Sequence, residues 1–355
     1  MGRGRPGILW RITGGQPVVE EERASLVPDD EAERTDLGGA AQKLEFHSVG
    51  DLRGGFNDCL GEERRSSRGG TPRGRAISLA PVRADVSRSS AEELEILFRI
   101  SYAVRHAVRQ SGASPKRGEI VSMGAAGSPT EELDRIAEAQ VLSCLEEEGI
   151  DWNVLSEEVG YVDRGGSRLL VVDPVDGSHN ALRGFPMSTV SLAVGHATLG
   201  GIEVGVVHNL DNGVTHWAQR GRGAFRDGHA LHTRKWEPRT ELFCVNLGRH
   251  STPRAARLAE KGRRVRSLGC ASLELAMVAQ GSADAYFFEN DNVGRNLRVT
   301  DIAAAYLIVR EAGGGISDAT QQPLESFPLS LDQRTSIFAW GDPSFAHHAV
   351  SEGYL

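Results

Sequence analysis

Four consecutive apolar residues, Leu169, Leu170, Val171 and Val172, run directly into Asp173-Pro174-Val175-Asp176-Gly177. A short apolar run bounded by turn residues predicts a buried strand. An acidic residue at the end of such a strand needs a partner charge or a metal, because a lone buried carboxylate is too costly. Pro174 stiffens the turn, so Asp173 and Asp176 can converge while the Val175 carbonyl points the same way. Two carboxylates and a carbonyl are hard oxygen donors suited to magnesium. Gly177-Ser178-His179-Asn180 reads as a loop entering a helix, and helix N-termini offer N–H groups to a phosphate. The competing reading is a plain surface turn, since Pro, Asp and Gly all favour turns.

Around this segment the pattern alternates between helices and strands. Ser90 and Glu93 form a capping box that opens a helix carrying Leu94, Leu97, Phe98, Ser101, Val104 and Val108, with Gly112 as the stop. Ser128-Pro129-Thr130-Glu131 announces a second helix, with Leu133, Ile136, Ala137, Val141 and Cys144 as its buried stripe. Strands are expected over 187–197, 202–209 and 214–219, the last two joined by a turn at Asp211-Asn212-Gly213, and over 241–247. Helices at 253–261, 272–280 and 301–312 then alternate with strands near 265, 283–288, 315–317 and 336–340, and a last helix starts at Pro343. The whole is a layered mixture of helices and sheets, an α+β chain.

The first 88 residues read differently. They are rich in Gly, Arg, Ser and acids, with Arg64, Arg65, Arg68, Arg73 and Arg75 in one run. Such a stretch buries too little apolar surface to offset its ordering entropy, so 1–88 is expected to be a disordered Arg/Gly-rich extension. Residues 89–355 are expected to form the folded domain, with halves of about 89–235 and 236–355. The net charge of −8 argues against a nucleic-acid binder. Cys59, Cys144, Cys244 and Cys270 show no C-x-x-C spacing, which argues against a zinc site and a disulfide framework. No apolar run reaches the roughly 20 residues that span a bilayer, and the default compartment is the cytoplasm.

Two more acidic segments complete a set: Ser156-Glu157-Glu158-Val159-Gly160, and Thr300-Asp301 opening a helix. Alone, the first suggests a solvated face and the second a helix cap. Together, the segments 127–141, 155–160, 173–186 and 300–314 resemble the inositol monophosphatase superfamily. The resemblance runs from about Ala91 to the C-terminus and is greatest to the archaeal branch that handles both inositol monophosphate and fructose 1,6-bisphosphate. It implies an αβαβα sandwich of the sugar phosphatase type, with the site between two αβ halves. It implies that Glu157, Asp173, the Val175 carbonyl, Asp176 and Asp301 hold two Mg2+ ions. Asp134 would share a third ion or orient water, Glu158 would be auxiliary, and Ser178, where the family has Thr, would assist the water. Asp176, Gly177, Ser178, His179 and Asn180 would meet the phosphate. Lithium inhibition and a homodimer are further implications.

The chain departs from that pattern at Ala126, where the branch carries an acid, which leaves a third Mg2+ open. Arg249, Arg266, Arg295 and Arg298 are candidates for a second substrate phosphate, with Arg266 and Arg298 foremost, and Glu289 for sugar hydroxyls. Two other readings compete with the phosphatase. One is a nucleotide phosphatase of the same fold, acting on adenosine 3′,5′-bisphosphate or NADP, which would need a base-stacking aromatic. The other is a silent protein whose Arg/Gly-rich tail contacts RNA.

Overall fold

The computed structural model describes residues 9–13, 16–20, 88–112, 115–125, 127 and 129–355. The disorder expected for 1–88 therefore falls almost wholly outside the described residues. So do Cys59, Ala126 and Ser128. Within that extension only Arg88 and the backbone of two paired strands, β1 (Leu9–Thr13) and β2 (Gln16–Glu20), are described.

Helix α1 (Ser90–Gln110) is capped one residue earlier than its sequence suggests. Ser89 is the cap, and the Glu92 carboxylate accepts from the Ser89 N–H at 2.7 Å. The shift turns Glu93 inward, where it is buried and forms a forked ion pair with Arg168 at 2.7 and 2.8 Å. The second helix starts later than expected. Pro129 does not open it; Pro129 lies in β4 (Pro129–Glu131), which pairs with β3 (Ile120–Met123). Helix α2 (Glu132–Glu147) follows, with Asp134 accepting from the Glu131 N–H at 3.3 Å. Strand pairing across a hairpin overrode the local helix-start signal there.

The next elements are β5 (Asn153–Ser156), β6 (Gly160–Val162), β7 (Leu169–Asp176), α3 (Ser178–Arg183), β8 (Thr189–Gly195) and β9 (Ile202–Asn209), then β10 (Thr215–Gln219), β11 (Gly223–Arg226) and β12 (His229–Ala230). They build an eight-stranded sheet in the order β12-β11-β10-β9-β8-β7-β5-β6. Its pairs are antiparallel except β5 with β7. The remainder comprises β13 (Leu242–Val245), α4 (Pro253–Lys261), β14 (Arg264–Arg266), α5 (Ala271–Ala279), β15 (Ala285–Phe288), α6 (Val299–Glu311), β16 (Gly315–Ser317), β17 (Ile337–Trp340) and α7 (Pro343–Ser351). Its five strands lie in the order β14-β13-β15-β17-β16.

Side-chain alternation along the strands sorts the interior into three cores. Leu170 and Val172 of β7 face one way, and pack with Leu97 and Val104 of α1 and Leu133 and Val141 of α2. Val171 faces the other way, into a core shared by Leu275 of α5, Ile302 and Tyr306 of α6, and Cys244, Tyr286 and Ala339 of the second sheet. Phe243, Phe287 and Phe338 point out of that sheet's far face onto Leu258 of α4 and Phe345 of α7. The layers are thus helix, sheet, helix, sheet, helix. Helix α6 is buried almost all round, as a helix between two sheets must be. Gly205 lets it approach: a Cβ there would lie 2.8 Å from the Ala304 carbonyl oxygen.

Candidate metal centre

Strand β7 runs four residues further than its apolar core, through Asp173 to Asp176, with the register broken between those two residues. That break sets Asp173 at the end of the regular ladder, where it is 6% exposed and its Oδ1 accepts from the Val175 N–H at 3.1 Å. The parallel pairing of β5 with β7 puts Ser156 opposite Val172, so Glu157 emerges beside Asp173. Asp301 occupies the third position of α6 and accepts from the Arg298 N–H at 2.7 Å. One carboxylate oxygen each of Glu157, Asp173 and Asp301 lies within 4.8 Å of the others.

Charges this close repel by roughly 3–4 kcal/mol per pair at an effective dielectric of about 20. Burial, followed by Asp176 and the other trio acids, pushes the Asp173 carboxyl well above the usual range. Burial and Glu157 raise Asp301 to about 7. A trio of hard oxygen donors under that strain fits a divalent cation, which would offset the repulsion. The buried Arg298, 4% exposed, supplies a positive charge here by pairing its guanidinium with Glu157. It faces the acids and not open solvent.

Asp176 stands outside the trio, though within electrostatic reach of Asp173 and Asp301. Its Oδ2 accepts from the Ser272 N–H at 2.7 Å, the Ser272 hydroxyl at 2.6 Å and the Cys270 thiol at 3.3 Å, and its Oδ1 from the Ala271 N–H at 3.3 Å. The Thr189 hydroxyl in turn lies 2.6 Å from that of Ser272. The second metal-ligand candidate of β7 is therefore bound to the start of α5. Asp134 is buried beside the centre, and burial and Glu158 push it up to about 7. Burial also raises Glu158 to about 7, against a hydrogen bond from the Thr130 hydroxyl.

Gly177 begins α3 with φ +81°, and a Cβ there would sit 2.7 Å from the Met187 carbonyl oxygen. Both facts demand glycine. Ser178 and His179 occupy the first turn, half-buried and exposed respectively. The Asn180 amide donates to the Met187 and Leu268 carbonyls at 3.0 and 2.7 Å, so it ties this turn to the loop before α5. Arg249, Arg266 and Arg295 are exposed, Arg266 on the sheet-edge strand β14. Glu289 is bound inward, by the Arg254 guanidinium and by the Thr252 hydroxyl at 2.7 Å. Sequence reasoning missed Ser272 and Glu274. Glu274 is buried, pushed up to about 7 by desolvation, and accepts from the Leu268 N–H at 2.9 Å. Both fall within or beside the Ser267–Ser272 segment, but only tertiary contact reveals what they hold. A surface pocket bounded by Ser90, His196, Gly201 and Arg220 lies at the opposite end of β8 and contains none of these groups.

The sequence profile of the inositol monophosphatase family matches residues 90–348. The fructose-1,6-bisphosphatase/inositol-1-monophosphatase of Methanothermobacter thermautotrophicus is 34% identical over 261 residues, 70% of this chain and 91% of the relative. A bifunctional NADP phosphatase/NAD kinase of Methanococcus maripaludis is 28% identical over 277 residues, 69% of this chain and 46% of the relative. A Pyrococcus horikoshii structure, described as having similarities for inositol-1 monophosphatase, superposes with a TM-score of 0.63 at 27% identity, over 73% of this chain and 97% of that one. The matched stretch contains every element that carries the acidic trio, and the chain belongs to the inositol monophosphatase family of phosphoric monoester hydrolases.

Proposed function

We propose that this chain is a magnesium-dependent phosphomonoesterase acting on inositol monophosphate and fructose 1,6-bisphosphate. The observation that carries the reading is the convergence of Glu157, Asp173 and Asp301 within 4.8 Å. These three, with Asp176 and the Val175 carbonyl, would hold the ions. A bound divalent cation supplies Lewis acidity and makes a water nucleophilic near neutral pH. The chain's own groups do the rest. The amides of Gly177 and Ser178 would face the substrate phosphate, and the Ser178 hydroxyl would orient the attacking water. Asp134, buried beside the centre, would help orient that water. Arg266, on the exposed side of the second sheet, is the candidate for a second substrate phosphate.

One observation favours a nucleotide as a second reading. Phe185 is 61% exposed just past α3, where the chain turns back at Gly184 and the Phe185 N–H donates to the Asn180 carbonyl at 2.9 Å. That ring could stack on a base, which the sequence reading lacked.

Phosphate release with Mg2+ from inositol 1-phosphate, fructose 1,6-bisphosphate and NADP, for wild type and Asp173→Asn, tests both. Release from the first two, lost in the variant, supports the proposal. Release from NADP alone, reduced by Phe185→Ala, moves the substrate to nucleotides.

A further inference from the structure

Arg298 lies on the metal centre twice over. Its backbone N–H donates to Asp301 at 2.7 Å, and its guanidinium pairs with Glu157. It is 4% exposed and Glu157 is half-buried, so the pair is largely withdrawn from water. A cation held by the trio would share the Glu157 carboxylate with that guanidinium and compete with it. We propose that Arg298 is a built-in counter-cation: it balances the trio in the metal-free protein and sets the metal affinity by exchanging with the incoming ion at Glu157. The inference rests on the metal centre read above.

Two consequences have opposite signs. Without Arg298 the metal-free trio loses its buried partner, which destabilises the fold. The same loss removes the competitor, which tightens metal binding. A residue that only braced the ligands would weaken both. Arg334 is a neighbouring guanidinium within electrostatic reach of Glu157, and it donates to the Asn296 carbonyl at 3.0 Å.

Calorimetric titration of Mg2+ into the full chain at pH 8 tests this, alongside melting in EDTA. Arg298→Gln should bind Mg2+ about tenfold more tightly than wild type, and melt at a lower temperature without metal. Arg298→Lys, which keeps the charge on a shorter side chain without the planar fork, should fall between. It carries the test if the Gln variant does not fold. Equal or weaker Mg2+ binding by the variants overturns the inference and leaves the metal centre standing. No Mg2+ binding by wild type overturns the metal reading and this inference together.

Discussion

Glu157, Asp173 and Asp301 and the arginines around them are held by different means. Glu157 follows β5, Asp173 lies within β7 and Asp301 is in the first turn of α6, elements whose apolar residues are nearly all buried. Their positions follow from hydrophobic packing that tolerates little movement. Arg249, Arg266 and Arg295 stand on exposed loops and an edge strand, where the chain is free to place them in many ways. Arg298 is the exception: named beside them as a rim candidate, it belongs to the buried centre. The contrast teaches that core packing fixes where the trio acids stand, while the exposed arginines proposed for the substrate are under no such constraint.

The largest effect should come from the core. Asp173→Asn should lower kcat/KM by about a thousandfold or more and abolish Mg2+ binding, with the fold retained. Retained Mg2+ affinity would break the comparison at its root. Next, Gly177→Ala should cost about 2–3 kcal/mol, because it adds a side chain at φ +81° against the Met187 carbonyl. Thermal melting reads this, and a neutral result would mean that the turn into α3 is more pliable than drawn.

Ser272→Ala removes the hydroxyl donor at 2.6 Å on Asp176 and should lower kcat/KM roughly tenfold, with about 1–2 kcal/mol less stability. Kinetics at saturating Mg2+ would show no change if Asp176 needs no such anchor.

A smaller effect is the pH dependence of the metal-free fold. Asp134, Glu274 and Asp301 have folded-state pKa values near 7, above the ordinary 3.8 and 4.5 of free carboxyls. Their contribution is full below about pH 4 and is lost as pH rises through 7. The buried His208, pushed down to about 3, works the other way: its contribution is full well above pH 6.5 and is lost as pH falls. Between pH 6.5 and 8 that histidine adds back only about 0.4 kcal/mol, less than the roughly 0.5–1 kcal/mol lost per carboxyl, so stability should fall. Melting in EDTA across that window checks the sign, and Mg2+ should cancel the share of Asp301. A curve that rises with pH would contradict the burial of these acids. Smallest of all, Arg295→Ala should change stability by less than about 0.5 kcal/mol and KM by no more than about threefold. Arg266→Ala should be equally neutral in stability and raise KM for fructose 1,6-bisphosphate about five- to tenfold, with that for inositol 1-phosphate unchanged; an unchanged KM for both would remove that arginine from substrate selection.

Local pattern was enough to locate α4 at 253–261, β16 at 315–317 and the start of α7 at Pro343, where caps and apolar spacing agree. It failed where long-range pairing decided the outcome. Pro129 reads as a helix start yet lies in β4, because β3 pairs with it across a hairpin. Glu93 reads as a capping acid yet is buried against Arg168, a partner distant in sequence.

The sequence by itself determined the chemistry on offer. An apolar strand ending on Asp173, Glu157 after a short strand and Asp301 opening a helix are local facts, since burial and helix starts are written in neighbouring residues. Only the tertiary structure decided how those groups are shared. It tied Asp176 to Ser272, gave Glu157 to Arg298 and turned Glu289 toward Arg254. Each is a contact between separate layers of the fold, and a charged side chain long enough to reach several partners takes the one that packing brings within range.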